Sequence, residues 1–219
     1  MVGPNELPDD ELLRRMIAGD EDAFAALYRR RQGGLYRFAL QMTGSAATAE
    51  DVTQEAFMTL IRDPKRFDGD RGSVSAFLFG IARNHILRRM QVERAFVPMP
   101  EGHEEQFASS AQKRAGSHPS ATDNPADILT RSETIDRVRE AVLTLPAAYR
   151  EVVVLCDLQE LSYEDVAAAI GCAIGTVRSR LHRARSLLIS KLRPAAPATG
   201  NSTAEILTGF DERAMRRAI

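Results

Sequence analysis

Residues 162–193 place the tightest constraint on the fold of this chain. The segment SYEDVAAAIGCAIGTVRSRLHRARSLLISKLR has the pattern of a short helix, a turn and a longer helix rich in arginine. Ser162 is a favourable N-cap residue, and Asp165 three residues later suits a pairing like that of a capping box. Gly171 suits the left-handed residue that ends a helix. We therefore predict a helix-turn-helix motif here.

The second helix of this motif has one apolar face and one basic face. Apolar residues recur at helical spacing and predict an inward stripe of Val177, Leu181, Ala184 and Leu188. The opposite face carries Arg178, Ser179, His182 and Arg183, while Arg180 and Arg185 flank the packed stripe. Such a face supplies donors for base edges and cations for phosphates in a major groove. A solvated amphipathic helix is the alternative interpretation, but the preceding turn and helix favour DNA binding.

Composition indicates an all-α protein. The chain has no tryptophan, and its apolar residues fall at helical spacings rather than in alternation. The net charge is −1, but acidic residues concentrate near the N-terminus and basic ones around residues 83–94 and 178–193. No run is long and apolar enough to span a bilayer, and the acidic start is unlike a signal peptide. Cys156 and Cys172 lack metal-ligand spacing, so we expect them to pack as small apolar residues in a reducing cytoplasm.

Helical periodicity divides the chain into two parts. It is clear as far as Met90, disappears in a stretch rich in Pro, Ser, Gly and acidic residues, and resumes at Ile128. We predict two small helical domains, 1–94 and 128–193, joined by a flexible linker, 95–127, and followed by a flexible tail, 194–219. Thr48 is expected to cap the third helix. Pro146 is expected at the first position of a helix in the second domain.

Four sequence blocks carry a family resemblance. They are AFAALYRRRQGGLYRFALQMTG, AEDVTQEAFMTL and GSVSAFLFGIARNHILRRM in the first domain, and LPAAYREVVVLCDLQELSYEDVAAAIGCAIGTVRSRLHRARSLL in the second. In this order and separated by a linker, they resemble regions 2 and 4 of bacterial RNA polymerase sigma factors of the extracytoplasmic-function (ECF) group. No region-1 or region-3 domain is visible, which separates this group from housekeeping sigma factors.

The resemblance implies a function and its partners. It implies a factor that binds core RNA polymerase through the beta-prime (β′) clamp helices and the beta (β) flap. Such a factor directs promoter-specific transcription initiation, with region 4 reading the −35 element and region 2 melting and reading the −10 element. It catalyses nothing and needs no cofactor or metal. Promoter DNA is the second partner, an anti-sigma factor is a further candidate, and no membrane insertion is expected.

The resemblance also implies site residues. For the −35 element it assigns Thr176, Arg178, Ser179, Arg180, His182, Arg183 and Arg185, with helix capping as the alternative role for Thr176. For the −10 element it assigns Arg66, Phe77, Arg83, Asn84, Arg88 and Arg89. For core polymerase it assigns Asp51, Gln54, Glu55 and Phe57, with core packing as the alternative for Phe57 and a favourable charge near a helix N-terminus as the alternative for Asp51. Tyr149, Arg150 and Tyr163 are candidate contacts to the DNA backbone, with core packing as the alternative for both tyrosines.

Some features of region 2 stay open. The family usually has tryptophan where Phe77 stands and aspartate where Arg88 stands. Whether Phe77 or Phe79 is exposed cannot be decided from spacing. The role of the tail is also open, between an element that contacts the domains and a simple chain end.

Three other classes of protein fit the sequence less well. A helix-turn-helix transcriptional regulator that acts without core polymerase would normally carry a sensing domain with strands alternating with helices, and residues 1–94 show no such alternation. A protein-interaction module leaves the arginine-rich face between Arg178 and Arg185 unexplained. An enzyme is disfavoured because the chain has no P-loop, no dinucleotide turn, and no GxSxG or HExxH motif.

Overall fold

The computed structural model describes residues 7–96 and 125–192, with the side chains of 92–96 and 125–133 excepted. These residues form α-helices joined by short turns and contain no strand, which confirms the all-α prediction. The helices are α1 (Asp9–Ile17), α2 (Glu21–Thr43), α3 (Ala46–Arg62), α4 (Val74–Phe96), α5 (Pro125–Leu143), α6 (Ala147–Val153), α7 (Tyr163–Ile170) and α8 (Ile174–Leu192). The predicted tail and most of the predicted linker lie outside the described residues.

Both ends of α2 and the start of α3 lie at residues that suit those positions. Asp20 caps α2 by accepting a hydrogen bond from the Ala23 amide at 3.0 Å. Gly44 ends α2 in the left-handed region, with φ 72°. Ser45 caps α3 by accepting from the Thr48 amide at 3.2 Å. The prediction that Thr48 caps α3 is therefore wrong, because its own amide is one of those that the cap satisfies.

Helix α2 is the centre of the first domain. It runs unbroken through Gly33 and Gly34 and packs against α1, α3 and α4. Phe38 of α2 meets Phe79 of α4 edge to face, with ring centroids 5.5 Å apart. The largest fully buried side chains of this domain are Leu12, Leu13, Leu27, Leu35, Phe38, Met42, Leu60, Leu78 and Ile86.

The second domain contains the predicted helix-turn-helix. Ser162 caps α7 by accepting from the Asp165 amide at 3.0 Å, and Gly171 ends α7 with φ 71°. Between α6 and α7 the chain makes a π-helical turn, Val154–Leu158, followed by Glu160 with φ 56°. Pro146 precedes α6 as its N-cap residue rather than occupying its first position, so that prediction is wrong by one residue.

The two domains pack directly against each other. Helix α7 lies along α4, and α2 contacts α5 and α6, so one continuous apolar core joins the halves. A Cβ at Gly80 would lie 3.2 Å from the Ala169 carbonyl oxygen, which shows how closely α7 approaches α4. Helix α4 ends at Phe96 and α5 begins at Pro125. The domain limits 1–94 and 128–193 stay a prediction.

Candidate nucleic-acid and polymerase interfaces

The basic face of α8 is exposed to solvent. Val177, Leu181, Ala184 and Leu188 are buried, and Arg178, Ser179, His182 and Arg183 are exposed on the other side. The guanidinium carbon of Arg178 lies 5.8 Å from the centroid of the Tyr163 ring, so the first helix of the motif supports this arginine. The Ser179 hydroxyl donates to the Thr176 carbonyl at 3.0 Å, which leaves its oxygen free to accept.

The two arginines that flank the packed stripe are both paired with carboxylates of the same domain. Arg180 Nη1 lies 3.4 Å from Glu151 Oε1. Arg185 makes two hydrogen bonds to Asp157 in the π-helical turn.

Thr176 lies in the first turn of α8, which begins at Ile174, so Thr176 does not occupy the cap position. The DNA contacts assigned to Thr176, Arg180 and Arg185 stay predictions.

The structure distinguishes the two phenylalanines of α4. Phe79 is 4% exposed and packs against Phe38. Phe77 is half-buried, and its ring centroid lies 5.7 Å from that of Phe67, in the loop before α4. Phe77 is therefore the aromatic ring that retains accessible surface. Spacing could not decide this, because both residues lie on one helix and the ring that α2 covers depends on tertiary packing.

Three of the assigned basic and polar residues of region 2 are exposed. Asn84 and Arg88 point to solvent from α4, and Arg66 lies exposed in the preceding turn, 3.9 Å from Asp63. Arg89 lies 3.0 Å from Asp51, so a residue assigned to DNA and one assigned to polymerase form an ion pair between α4 and α3.

Arg83 is in a different environment from the other assigned residues. Its Nε donates to Glu151 Oε2 at 2.7 Å, and its side chain is 20% exposed. Sequence reasoning missed Glu151, which is 4% exposed in its side chain and accepts from both Arg83 and Arg180. The available signal was a charged residue followed directly by the apolar run VVVL, which α6 carries into the core. That signal predicts a partner but cannot identify one 68 residues away.

The surface of α3 has a polar and an apolar part. Asp51 and Gln54 are exposed and Glu55 is half-buried, as a polar interface requires. Phe57 is 2% exposed, and its ring centroid lies 4.7 Å from that of Tyr28. This corrects the placement of Phe57, because the aromatic cluster holds it beneath the surface rather than on it. Met58 and Ile61 are the exposed apolar residues on this helix, and sequence reasoning missed both.

The guanidinium of Arg150 makes hydrogen bonds within the protein, and the side chain is half-buried rather than exposed. Its guanidinium donates to the carbonyls of Met42 at 2.6 Å, Leu145 at 3.0 Å and Leu143. Burial lowers the pKa of this guanidinium. Contrary to what the sequence suggested, Arg150 therefore does not face DNA. It joins the second domain to α2 through the Met42 carbonyl.

Two other titratable groups are perturbed by burial. Burial, with the Asp157 charge, raises the pKa of the Cys156 thiol to about 12. Burial lowers the pKa of His85, whose Nε2 lies 3.3 Å from the Thr59 hydroxyl. Within residues 7–96 and 125–192, no three His, Cys, Asp or Glu side chains cluster as metal ligands would. Among the described helices, none is both long and apolar enough to cross a membrane.

Comparison with known proteins agrees with this geometry. Residues 27–95 match the family model "Sigma-70 region 2", and residues 135–188 match "Sigma-70, region 4". The chain is 33% identical over 190 residues to the ECF RNA polymerase sigma factor SigM of Mycobacterium tuberculosis, covering 85% of each protein. It is 31% identical over 191 residues to SigE of Mycolicibacterium smegmatis, covering 84% of this chain and 68% of SigE.

A solved structure also has a similar fold. It is the sigma factor RpoE of Bartonella quintana in complex with the anti-sigma factor NepR. The TM-score is 0.56 at 26% sequence identity, and the match covers 77% of this chain and 96% of that one.

Proposed function

Because this chain belongs to the ECF group of bacterial RNA polymerase sigma factors, we propose a division of labour between its two domains. The protein is not an enzyme: it binds core RNA polymerase and directs promoter-specific initiation. Within that activity, α8 reads the −35 element, and α4 with its preceding loop melts and reads the −10 element.

The observation that carries this proposal is the exposed face of α8. Arg178, Ser179, His182 and Arg183 form an outward surface with no acidic residue in the helix. Arginine pairs with guanine edges in the major groove, and serine and histidine accept or donate to other bases. Arg180 and Arg185 border this surface, where phosphates would lie.

The −10 element is assigned to the surface around Phe77. Strand opening requires a ring on which an unstacked base can stack, together with cations for the backbone. Phe77 supplies the ring, Asn84 an amide for a base edge, and Arg66 and Arg88 exposed cations. Arg83 joins this surface only when it leaves Glu151.

Core polymerase is assigned to the exposed side of α3. Asp51, Gln54 and Glu55 provide a polar rim, and Met58 and Ile61 provide apolar contact area of the kind found at interface centres. This surface would meet the β′ clamp helices, and the second domain would meet the β flap. Such a factor acts in the cytoplasm, beside the polymerase. The Bartonella quintana complex supports an anti-sigma factor as a third partner.

Paired substitutions in protein and promoter test the division of labour. In transcription from a mapped promoter, Arg178→Ala should abolish the effect of one −35 base change and leave every −10 change fully effective. Asn84→Ala should show the reverse pattern. If both variants lose discrimination at the same element, or at neither, the assignment of helices to elements is wrong.

A further inference from the structure

Glu151 links the two domains through a single carboxylate. Arg83 of α4 donates to Oε2 at 2.7 Å and to Oε1 at 3.5 Å, and Arg180 of α8 donates to Oε1 at 3.4 Å. The first arginine belongs to the domain assigned to the −10 element, and the second to the helix assigned to the −35 element. A largely buried carboxylate of this kind is stabilised only while its cationic partners stay in place.

Other contacts close around this carboxylate. The Ser73 amide, in the loop before α4, donates to Asp165 Oδ1 of α7 at 3.1 Å. This contact replaces the capping-box pairing expected for Asp165. At Gly80, α4 lacks a side chain where the Ala169 carbonyl comes near. The face of α7 that packs on α4 thus has both polar and steric complementarity.

Promoter binding is incompatible with this packed arrangement. The −35 and −10 elements are about 25 base pairs apart, which is about 85 Å of B-form DNA at about 3.4 Å per base pair. Helix α4 contacts α7, and α7 contacts α8, so at about 8–10 Å between the axes of packed helices α4 and α8 lie within about 20 Å of each other. The domains must separate to reach both elements. Residues 97–124 would cover about 100 Å if fully extended, so the chain length permits this separation.

We propose that Glu151 is an internal clasp that holds the free protein closed. In the closed form its carboxylate binds the arginine that a DNA phosphate binds in the open form. This inference rests on the proposed function for the roles of Arg83 and Arg180, but closure itself does not. In the closed form Arg83 is withheld from DNA, while the outer face of α8 stays exposed. Nucleic-acid phosphate replaces Glu151 at Arg83, the partner in the other domain, so DNA binding and opening are coupled.

Distance measurement on the full chain tests closure without reference to promoters. Fluorescent dyes at Arg62→Cys and Ser190→Cys, two exposed sites in different domains, report their separation when Cys172 is replaced by serine. Glu151→Gln keeps the shape of the side chain and removes its charge. Arg83→Gln removes only the half of the clasp that joins the domains. Gly80→Leu, which forces α7 away from α4, gives the open reference.

Glu140→Gln is the matched control, because Glu140 is an exposed carboxylate of the same domain. We expect wild type and Glu140→Gln to share a short distance, and Glu151→Gln and Arg83→Gln to move toward the Gly80→Leu value. If either clasp variant keeps the wild-type distance while folded by circular dichroism, Glu151 is not the clasp. If Glu151→Gln does not fold, Arg83→Gln decides alone.

Heparin, as a polyanion without sequence, probes the coupling. If the free protein is about 90% closed, Glu151→Gln should bind heparin about tenfold more tightly than wild type. Glu140→Gln removes the same charge and should show a much smaller gain. Equal gains in the two variants would mean that charge alone, not opening, is responsible. A factor that initiates transcription but gives unchanged distances would refute the clasp and leave the proposed function intact.

Discussion

Arg185 of α8 and Asp157 of the π-helical turn are joined by two hydrogen bonds, Nη2–Oδ1 at 2.6 Å and Nε–Oδ2 at 3.1 Å. The Asp157 side chain is largely buried, so the carboxylate fixes the plane of the guanidinium at the edge of the recognition helix. Arg178 instead lies over an aromatic ring, with its guanidinium carbon 5.8 Å from the centroid of Tyr163. The two arginines are therefore held in different ways, which matches the different roles proposed for them.

The first prediction separates these roles. Arg178→Ala or Arg183→Ala should cost about 1–3 kcal/mol of binding and relax preference at one base position, because each removes a base contact. Arg180→Ala or Arg185→Ala should weaken all sequences alike and lower the salt slope by about one. Binding of holoenzyme to a panel of single-base promoter variants at several salt concentrations measures both effects. Equal, sequence-independent losses at all four positions would contradict the assignment.

The second prediction concerns the backbone at Glu160. Its φ of 56° is a left-handed conformation that costs a residue with a Cβ about 1–2 kcal/mol. Glu160→Gly removes most of this strain, but it adds chain entropy to the unfolded state and Glu160 also interacts with another group in the folded state, so we expect the free energy of unfolding to stay within about 0.5 kcal/mol of wild type. Urea denaturation measures it. Glu140→Gly, inside α5, is the control and should lose about 1 kcal/mol instead. A loss at Glu160 as large as at Glu140 would be inconsistent with strain there.

The third prediction concerns Arg150, which donates to carbonyls in α2 and around the start of α6. Arg150→Gln cannot reach all of these acceptors and should lower the free energy of unfolding by about 1–3 kcal/mol. Arg137→Gln, an exposed change on α5, should stay within about 0.5 kcal/mol of wild type. Thermal or urea unfolding of the full chain decides between them. An Arg150 variant as stable as the Arg137 control would show that these hydrogen bonds contribute no stability.

The fourth prediction concerns the two cysteines. Burial and the Asp157 charge raise the pKa of Cys156 to about 12, so its thiol stays protonated and unreactive near neutral pH. Both cysteines are partly accessible, and Cys172 lies in the turn between α7 and α8. Iodoacetamide at pH 7.5 should modify Cys172 well before Cys156, as measured by mass spectrometry of peptides over time. Rapid modification of Cys156 in the folded protein would contradict its described environment.

Local signals made part of this structure predictable. Ser162 starts α7 and Gly171 ends it through contacts with residues nearby in sequence. The limits of α7 therefore followed from the sequence alone. The inward stripe of α8 followed from helical spacing in the same way. The first residue of α3 was harder to predict, because Ser45 and Thr48 are both good cap residues. Only the path of the chain after Gly44 selects Ser45.

Long-range contacts were not predictable in the same way. Phe77 and Phe79 differ in exposure because Phe38 of α2 covers one of them. Glu151 pairs with Arg83, 68 residues earlier, and no local pattern specifies that partner. The packing of α7 on α4 depends on a missing side chain at Gly80, which in sequence is only a weak helix former. The candidate surfaces could thus be assigned to segments, but their accessibility could not.

Reconstituted transcription tests the central claim most directly. Purified core RNA polymerase is incubated with genomic DNA of the source organism, with and without this protein, and transcript 5′ ends are mapped by sequencing. We predict a limited set of new start sites that share one −35 and one −10 sequence, and we expect Arg178→Ala to relax the shared −35 sequence at one base position. Start sites unchanged by the protein, together with tight sequence-specific DNA binding by the protein alone, would contradict the account and favour a regulator that acts without core polymerase.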